Sequence, residues 1–146
     1  MARIYLVCPV RVCPPVVRSA MDAYVAGLES HGHTVHYPPR DVDQANDDGA
    51  VRICREHMEF MLTCDEVHLW FDETSYGCHF DAGMAVILHR TRGTRLVAAS
   101  GLGRRPHKSF ANFLRSMIDE QAEAEAHRSQ RGLGKQVPQH PDDDCC

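Results

Sequence analysis

The chain has 146 residues, about the size of one domain, and its net charge of −4 gives no basic surface that would suit a nucleic-acid polymer. Apolar residues make up 43% of the chain and charged residues 25%, which is ordinary for a soluble globular protein. No apolar run is long enough to span a membrane, and no signal peptide precedes the first predicted strand, so we expect a cytoplasmic protein. The seven cysteines are odd in number and scattered, which argues against a disulfide framework, and no paired Cys or His spacing predicts a metal site.

Strands and helices alternate along the first part of the chain. Residues 3–8 have the β-branched and aromatic content of a strand, and residues 34–37 form a second strand that two prolines close. Between them, apolar residues at helical spacing predict a helix over about 16–30, with Gly32 just beyond its end as a cap. Residues 40–49 are polar and rich in aspartate. They predict a surface loop whose end caps the next helix, or alternatively a flexible lid over a substrate.

A helix over about 50–62 leads into the most informative stretch of the chain. Apolar and polar side chains alternate over 65–71, as in a largely buried strand, and turn-forming residues fill 72–77. Helical spacing resumes after the turn, where Gly83 is expected to let the helix approach the sheet. The apolar residues at helical spacing are Val51, Ile53, Cys54, Met58, Met61 and Leu62 in the first helix, predicted to face inward, and Phe80, Met84, Ile87 and Leu88 in the second.

The rest of the chain holds one more strand, one more helix and a polar end. Residues 94–99 are predicted as the fourth strand, and a loop with two arginines follows it. Ser109 can cap a last helix that runs to about residue 126. Residues 127–146 have no apolar period and are predicted to be a disordered tail, so a single domain spans residues 1–126. The expected buried stripe of the last helix consists of Phe110, Phe113, Leu114, Met117 and Ile118.

Alternating strands and helices predict an α/β fold. We expect a three-layer sandwich of flavodoxin-like or Rossmann-like type, with a parallel sheet of four or five strands. No glycine-rich dinucleotide fingerprint follows the first strand. Open parallel sheets bind ligands at the carboxyl ends of their strands, and Ser75, Gly77 and Asp81 lie in the connection after the central strand. This connection is therefore the candidate site.

The pattern S-x-G-x-x-F-D-x-G-x-A at 75–85 resembles the motif of the nucleoside 2-deoxyribosyltransferase superfamily, which includes base-exchanging transferases and nucleoside 5′-monophosphate N-glycosidases. The resemblance covers about residues 3–100. It implies that Asp81, where the family usually has glutamate, is the nucleophile that attacks the anomeric carbon. It also implies that Ser75, which stands where the transferases have an acid, binds a 5′-phosphate together with the backbone around Gly77.

The resemblance assigns roles to further residues. Tyr5 aligns with a tyrosine beside the nucleophile, and Arg11 with an arginine of the first loop that helps to hold the phosphate. His57 stands where the family often has an aspartate that assists the leaving base, and a histidine could serve as a general acid or simply be a packed side chain. Asp72 could bind sugar hydroxyls, or it could cap the turn. Family members usually form homodimers, and neither a metal nor an organic cofactor is expected.

The predicted function is hydrolysis of the N-glycosidic bond of a nucleoside 5′-monophosphate, which yields a free base and a (deoxy)ribose 5-phosphate. Bond cleavage generates positive charge at the sugar carbon, and a carboxylate held there can form a sugar ester or stabilise the cation. Aspartate is one methylene shorter than glutamate, so either the substrate sits deeper or the activity is weak or lost. The alternatives are base exchange between nucleosides, a catalytically inactive nucleotide-binding module, and an oligomerisation domain with a vestigial pocket.

Overall fold

The structure, a computed structural model, describes residues 1–46 and 49–133. Within these ranges, strands and helices alternate as the sequence pattern predicts, with one additional short helix. The strands are β1 (Arg3–Val7), β2 (Thr34–His36), β3 (Glu66–Trp70) and β4 (Arg95–Ser100). The helices are α1 (Pro15–Ser30), α2 (Pro38–Asp41), α3 (Val51–Met61), α4 (Tyr76–Arg92) and α5 (Phe110–Leu133).

All four strands are parallel and lie in the order β2-β1-β3-β4. Helices connect successive strands because a parallel neighbour can be reached only by a crossover. The register places Tyr5 of β1 beside His36 of β2 on one side and Val67 of β3 on the other. The molecule is thus an α/β sandwich of Rossmann or flavodoxin type, which confirms the predicted fold class with four strands in the described part of the chain.

Side chains of the central strand β1 alternate between two apolar cores because successive strand residues point to opposite faces. Ile4 and Leu6 pack on the face that α1 covers, together with Met21. Tyr5 and Val7 pack on the other face, which α3, α4 and α5 cover. No solvent reaches any of these four β1 side chains. The candidate site described below opens at the carboxyl ends of β1 and β3.

The face of helix α4 that packs on the sheet is not the face that carries its largest apolar residues. Phe80 is 52% exposed and Ile87 is 62% exposed. A Cβ atom added at Gly83 would meet nothing within 4 Å, so the prediction that this glycine admits the sheet is wrong. The buried residues are mostly small, which lets the helix lie close to the strands: Cys78, Asp81, Ala82, Ala85, Val86 and Leu88.

Two further helix predictions need correction. In α5, Phe110 is 68% exposed and Phe113 is 50% exposed, whereas Ala111, Leu114 and Met117 are buried. This helix continues to Leu133, past its predicted end at residue 126, so the prediction of a disordered tail is wrong for residues 127–133. The rest of the predicted tail, residues 134–146, lies outside the described residues.

The start of α3 also differs from the prediction. Residues 40 and 41 belong to the short helix α2 instead of a loop, and no described side chain caps α3. Its N-cap is Ala50, at a left-handed φ of 74°. Of the six residues predicted to face inward, Ile53 and Met61 are buried, and His57 is the third buried residue of the helix. No described helix is both long and apolar enough to cross a bilayer.

Candidate functional site

A cavity of about 530 Å³ opens at the carboxyl ends of β1 and β3. Its wall comes from the loop after β1, the segment that leads into α3, α3 itself and the start of α4. It brings together five of the residues that the sequence pattern singles out, namely Arg11, His57, Ser75, Gly77 and Asp81. The remaining lining residues are Cys8, Val10, Val12, Gln44, Ala50, Ile53, Cys54, Thr74, Tyr76 and Phe80.

Asp81 lies in the second turn of α4 and is 5% exposed. A buried carboxylate needs hydrogen-bond donors to offset the loss of water. The Tyr5 hydroxyl donates to its Oδ2 atom over 2.8 Å. His57 Nδ1 lies 3.3 Å from Oδ1 and 3.2 Å from Oδ2. Three elements that are distant in sequence therefore meet at one carboxylate, and Asp81 is not a surface helix cap.

Tyr5 is held in its donor form by its surroundings. Its side chain is fully buried, and this burial, reinforced by the charge of Asp81 and the hydrogen bond to it, raises the pKa of Tyr5 well above the ordinary value. The phenol therefore keeps its proton near neutral pH and presents an O–H group to the carboxylate. In the structure Tyr5 lies beside Asp81, as the resemblance predicts.

His57 reaches Asp81 from the inward face of α3. Positions 53, 57 and 61 recur every four residues and are the buried positions of that helix, which aims the imidazole at the sheet. Its ring packs edge-on to the Tyr5 ring, with centroids 5.5 Å apart. Within the described residues its Nε2 atom is buried without a hydrogen-bond partner. His57 is thus a buried neighbour of Asp81, and its other nitrogen lacks a partner.

The turn before α4 and the first turn of that helix contribute Ser75 and Gly77 to the cavity wall. Ser75 is the N-cap residue, and its Oγ accepts a hydrogen bond from the Cys78 N–H over 3.3 Å. The backbone N–H groups of the first helical turn have no intrahelical acceptor and favour anions. A Cβ atom at Gly77 would meet its nearest neighbour, Ser75 Oγ, at 3.8 Å, an ordinary contact. Packing therefore does not require a glycine there, and its absent side chain leaves the cavity wider.

Arg11 is exposed in the loop after β1 and lines the same cavity as Ser75 and Gly77. Within the described part of the chain, no acidic side chain forms an ion pair with it. A guanidinium without a carboxylate partner at a cavity wall can bind an anion with two parallel hydrogen bonds.

Asp72 does not line this cavity. Its Oδ1 accepts hydrogen bonds from the Thr74 N–H over 2.8 Å and from the Thr74 hydroxyl over 2.7 Å. These contacts form an Asx turn that shapes the connection between β3 and α4. Of the two roles that the sequence allows, the structure favours turn capping over contact with a sugar.

Sequence reasoning missed several residues of the cavity wall. Gln44 comes from the segment predicted as a capping loop or a lid, and Ala50 from the predicted start of the next helix. Cys54 shares a helical face with His57, as their spacing indicates. Cys8 also lines the wall. Burial, and to a smaller extent the nearby Cys78, raises the pKa of its thiol, which makes it a poor nucleophile.

No protein-family model, curated protein or solved structure gives a significant match to this chain. The likeness of residues 75–85 to the deoxyribosyltransferase motif therefore remains a prediction that rests on those residues alone.

The cavity combines a buried carboxylate with a group of anion-binding donors. Asp81 lies at its floor, and Ser75, the first turn of α4 and Arg11 lie along its wall. In the described part of the chain, no group of three or more His, Cys, Asp or Glu side chains is arranged to hold a metal ion. The arrangement suits an anionic ligand with an electrophilic or cationic centre within reach of the carboxylate.

Proposed function

We propose that this protein hydrolyses the N-glycosidic bond of a nucleoside 5′-monophosphate. One observation carries the proposal: a buried carboxylate, Asp81, shares a 530 Å³ cavity with Ser75, Gly77 and Arg11, which are suited to bind a phosphate. The volume lies within the range of about 300–1,000 Å³ that small-molecule sites occupy. A nucleotide presents both features that the cavity matches, an anionic phosphate and an anomeric carbon that becomes cationic.

The proposed reaction has two steps. In the first, an Asp81 oxygen forms a bond to the anomeric carbon, the carbon–nitrogen bond breaks, and its electron pair leaves with the base, which takes up a proton. In the second, a water oxygen bonds to the same carbon and the carbon–oxygen bond to Asp81 breaks, which restores the carboxylate. The water releases a proton to solvent, which balances the proton that the base takes up from solvent, and the sugar 5-phosphate is the second product. Tyr5 and His57 hold the carboxylate in place in both steps. Water is the second substrate, so the reaction needs neither a metal nor an organic cofactor.

The phosphate anchor supports catalysis as well as binding. Binding energy from a part of the substrate that does not react can be used to position the reacting carbon against a short carboxylate. Asp81 reaches less far than the family's glutamate, so the sugar has to be held deep in the cavity. Ser75 and Arg11 supply that anchor, and a nucleoside without a phosphate is expected to react poorly.

A chromatographic screen for free base tests the proposal. Wild-type protein and the Asp81→Asn variant are incubated with common and 5-modified nucleoside 5′-monophosphates and with the matching nucleosides. The control is Glu59→Gln, which makes the same carboxylate-to-amide change at an exposed position of α3 outside the cavity. Release by wild type and control is expected, with a loss of about 10³-fold or more in Asp81→Asn, the scale seen when a nucleophile is removed.

Two other functions remain in competition, and the same screen separates them. Exchange of one base for another without hydrolysis would show the transferase reaction instead. Tyr5 and His57 both contact the Asp81 carboxylate. These contacts favour a nucleotide-binding module without turnover as the second candidate. That module predicts a rise in melting temperature with a monophosphate, no base release, and equal binding by Asp81→Asn. If neither binding nor turnover occurs, the nucleotide proposal is wrong.

We also propose that the protein forms a homodimer through an apolar face on α3, α4 and α5. The ridge of this face on α4 consists of Phe80, Gly83 and Ile87, and grooves of about 430 Å³ and 390 Å³ flank it. Glycine inside a helix costs about 0.5–1 kcal/mol relative to alanine, and nothing within the described chain packs against Gly83. In the proposed dimer, the α4 helices of the two copies cross close to each other at Gly83, and this contact explains why a glycine is present there. The other exposed apolar residues of the face are Met58, Leu62, Phe110 and Phe113.

A second copy is the proposed partner because a ridge between two grooves is complementary to itself under two-fold symmetry. Phe80 also lines the cavity, so the partner would approach its rim. Light scattering should give a dimeric mass for wild type and a monomeric mass for Ile87→Glu. The control Val16→Glu places the same charge on α1, at a residue that is 76% exposed, and should remain dimeric. A monomeric wild type would refute the dimer.

The proposed location is the cytoplasm. Nucleoside monophosphates are available there, and the described cysteines carry free thiols, as a reducing compartment maintains them.

A further inference from the structure

Two neighbouring histidine rings each contain a buried nitrogen that has no hydrogen-bond partner within the described residues. Within the described residues, the buried side-chain nitrogen and oxygen atoms that lack a partner are His36 Nε2 and His57 Nε2. The two rings face each other edge to face, with centroids 6.1 Å apart. An unsatisfied buried polar atom costs about 1–3 kcal/mol, so two of them in one place need an explanation.

The ring of His36 has little freedom to find another partner. It stacks on the Tyr5 ring, with centroids 5.4 Å apart, and on the Phe60 ring, with centroids 4.6 Å apart. The pairing of β1 with β2 sets the first contact, since Tyr5 and His36 are neighbours in the register. The Nε2 atom of His36 is therefore held near the Asp81 site by aromatic packing.

We propose that one internal water molecule joins His36 Nε2 to His57 Nε2 and that His36 is a positioning residue for the Asp81 site. Buried waters typically bind to otherwise unsatisfied polar groups, and two imidazole nitrogens of neighbouring rings provide such groups. The link fixes the orientation of the His57 ring, and with it the contact of Nδ1 with the Asp81 carboxylate.

The hydrogen-bond roles in this arrangement are consistent with one another. A neutral imidazole has one N–H donor and one acceptor nitrogen. In a neutral His57 ring, the nitrogen that faces Asp81 carries the proton, because a carboxylate can only accept, and Nε2 is then an acceptor. The water donates one hydrogen to that acceptor and uses a second hydrogen or a lone pair toward His36. Asp81 sets this tautomer from one side of the ring, and the water provides the hydrogen-bond donor that Nε2 lacks within the described structure.

The surroundings of His36 favour its neutral form. Burial lowers its pKa below the ordinary histidine value, the nearby Asp41 raises it, and His57 lowers it. Smaller opposing influences come from Glu56, which raises the pKa, and Arg40, which lowers it. A neutral His36 can serve either as donor or as acceptor toward the proposed water, as the link requires.

Nitrogen-15 NMR of the imidazole side chains tests the link without any need for activity. Wild type should show His57 in the Nδ1–H tautomer. In His36→Phe, which retains the aromatic stacking, the His57 Nε2 signal should shift, because this acceptor loses its proposed hydrogen-bond donor. His36→Gln offers a polar group at the same place and covers the case in which the phenylalanine variant does not fold. The control His31→Phe changes an exposed histidine at the end of α1 and should leave the His57 signals unchanged.

An Nε2–H tautomer of His57 in wild type, or an unchanged His57 spectrum in both His36 variants, would overturn the inference. The effect on rate rests on the proposed function. There, His36→Phe should lower kcat about tenfold with little change in KM, and His36→Gln should restore part of the loss, by analogy with the outer partners of metal-bound histidines. If wild type releases no base, the proposed hydrolysis fails, while the NMR result still decides whether the two histidines are linked.

Discussion

The hydrogen bond between Tyr5 and Asp81 joins the first strand to the fourth helix across 76 positions of sequence. Replacing Tyr5 by phenylalanine removes the hydroxyl and leaves the ring in place, so the substitution creates almost no cavity. The change in the free energy of unfolding therefore measures the loss of this hydrogen bond to the carboxylate. His57 would remain as the second neighbour of Asp81, at the longer distances of 3.2–3.3 Å.

The expected loss follows from the charge and burial of the acceptor. A hydrogen bond to a charged group contributes about 1.5–3 kcal/mol, against about 1 kcal/mol for a neutral pair. The 2.8 Å distance and the buried surroundings are those of a strong bond of this kind. We therefore expect Tyr5→Phe to lower the free energy of unfolding by about 1.5–3 kcal/mol at neutral pH.

Urea denaturation, followed by circular dichroism and by Trp70 fluorescence, measures this loss. The control is Tyr24→Phe, which removes a partly buried hydroxyl 2.7 Å from a histidine nitrogen and should cost about 1 kcal/mol. In an Asp81→Asn background, Tyr5→Phe should cost no more than the control, because the acceptor is then neutral. Equal losses for Tyr5→Phe in the two backgrounds would refute the charge-assisted hydrogen bond.

Three further predictions concern the phosphate anchor and the buried histidines. Arg11→Gln should raise KM for the monophosphate about 10- to 100-fold in steady-state assays, as loss of a charge-assisted contact implies, while Arg55→Gln on the exposed side of α3 should not. Gly77→Ala should leave the urea midpoint nearly unchanged, since its Cβ meets only an ordinary contact, but should raise KM. Burial lowers the pKa of His36 and His68. Their contribution to the free energy of unfolding should therefore be complete above about pH 6.5 and should decrease below it. Each histidine contributes at most about 1.4 kcal/mol per pH unit, and His68→Gln should flatten the urea-derived profile.

Local features of this chain could be predicted from sequence because their causes are local. Gly32 and Gly93 follow the ends of α1 and α4 with positive φ angles of 84° and 74°, as helix ends favour. Ser109 was expected to cap α5, and its Oγ accepts the Ala111 N–H over 3.0 Å. The buried runs of β1 and β3 identify a parallel sheet because such strands are covered on both faces.

The orientation of the helices and the partners of Asp81 depend on contacts that are distant in sequence. Helix α4 has a large apolar stripe, which includes Phe80 and Ile87, and a stripe of small residues on its other side. Periodicity alone does not show that the small residues face the sheet, since the choice depends on how close the helix can approach. His57 meets Asp81 across 24 positions, and His36 enters the cluster only through strand pairing. The motif spacing therefore indicates Asp81, and the family resemblance predicts Tyr5 beside it, whereas neither indicates that His36 joins the cluster.

The contacts of Asp81 assign different tasks to its two oxygens under the proposed mechanism. Oδ2 accepts the short bond from Tyr5 and also lies 3.2 Å from His57 Nδ1, which reduces its tendency to attack carbon. Oδ1 has only the longer contact with His57 Nδ1, at 3.3 Å, and is the more nucleophilic atom. A carboxylate without either donor would be too costly to bury, and one with two short bonds would be a poor nucleophile. Because the short hydrogen bond is on Oδ2 and Oδ1 has only the longer contact, the carboxylate can be both buried and reactive. Attack is therefore expected from Oδ1.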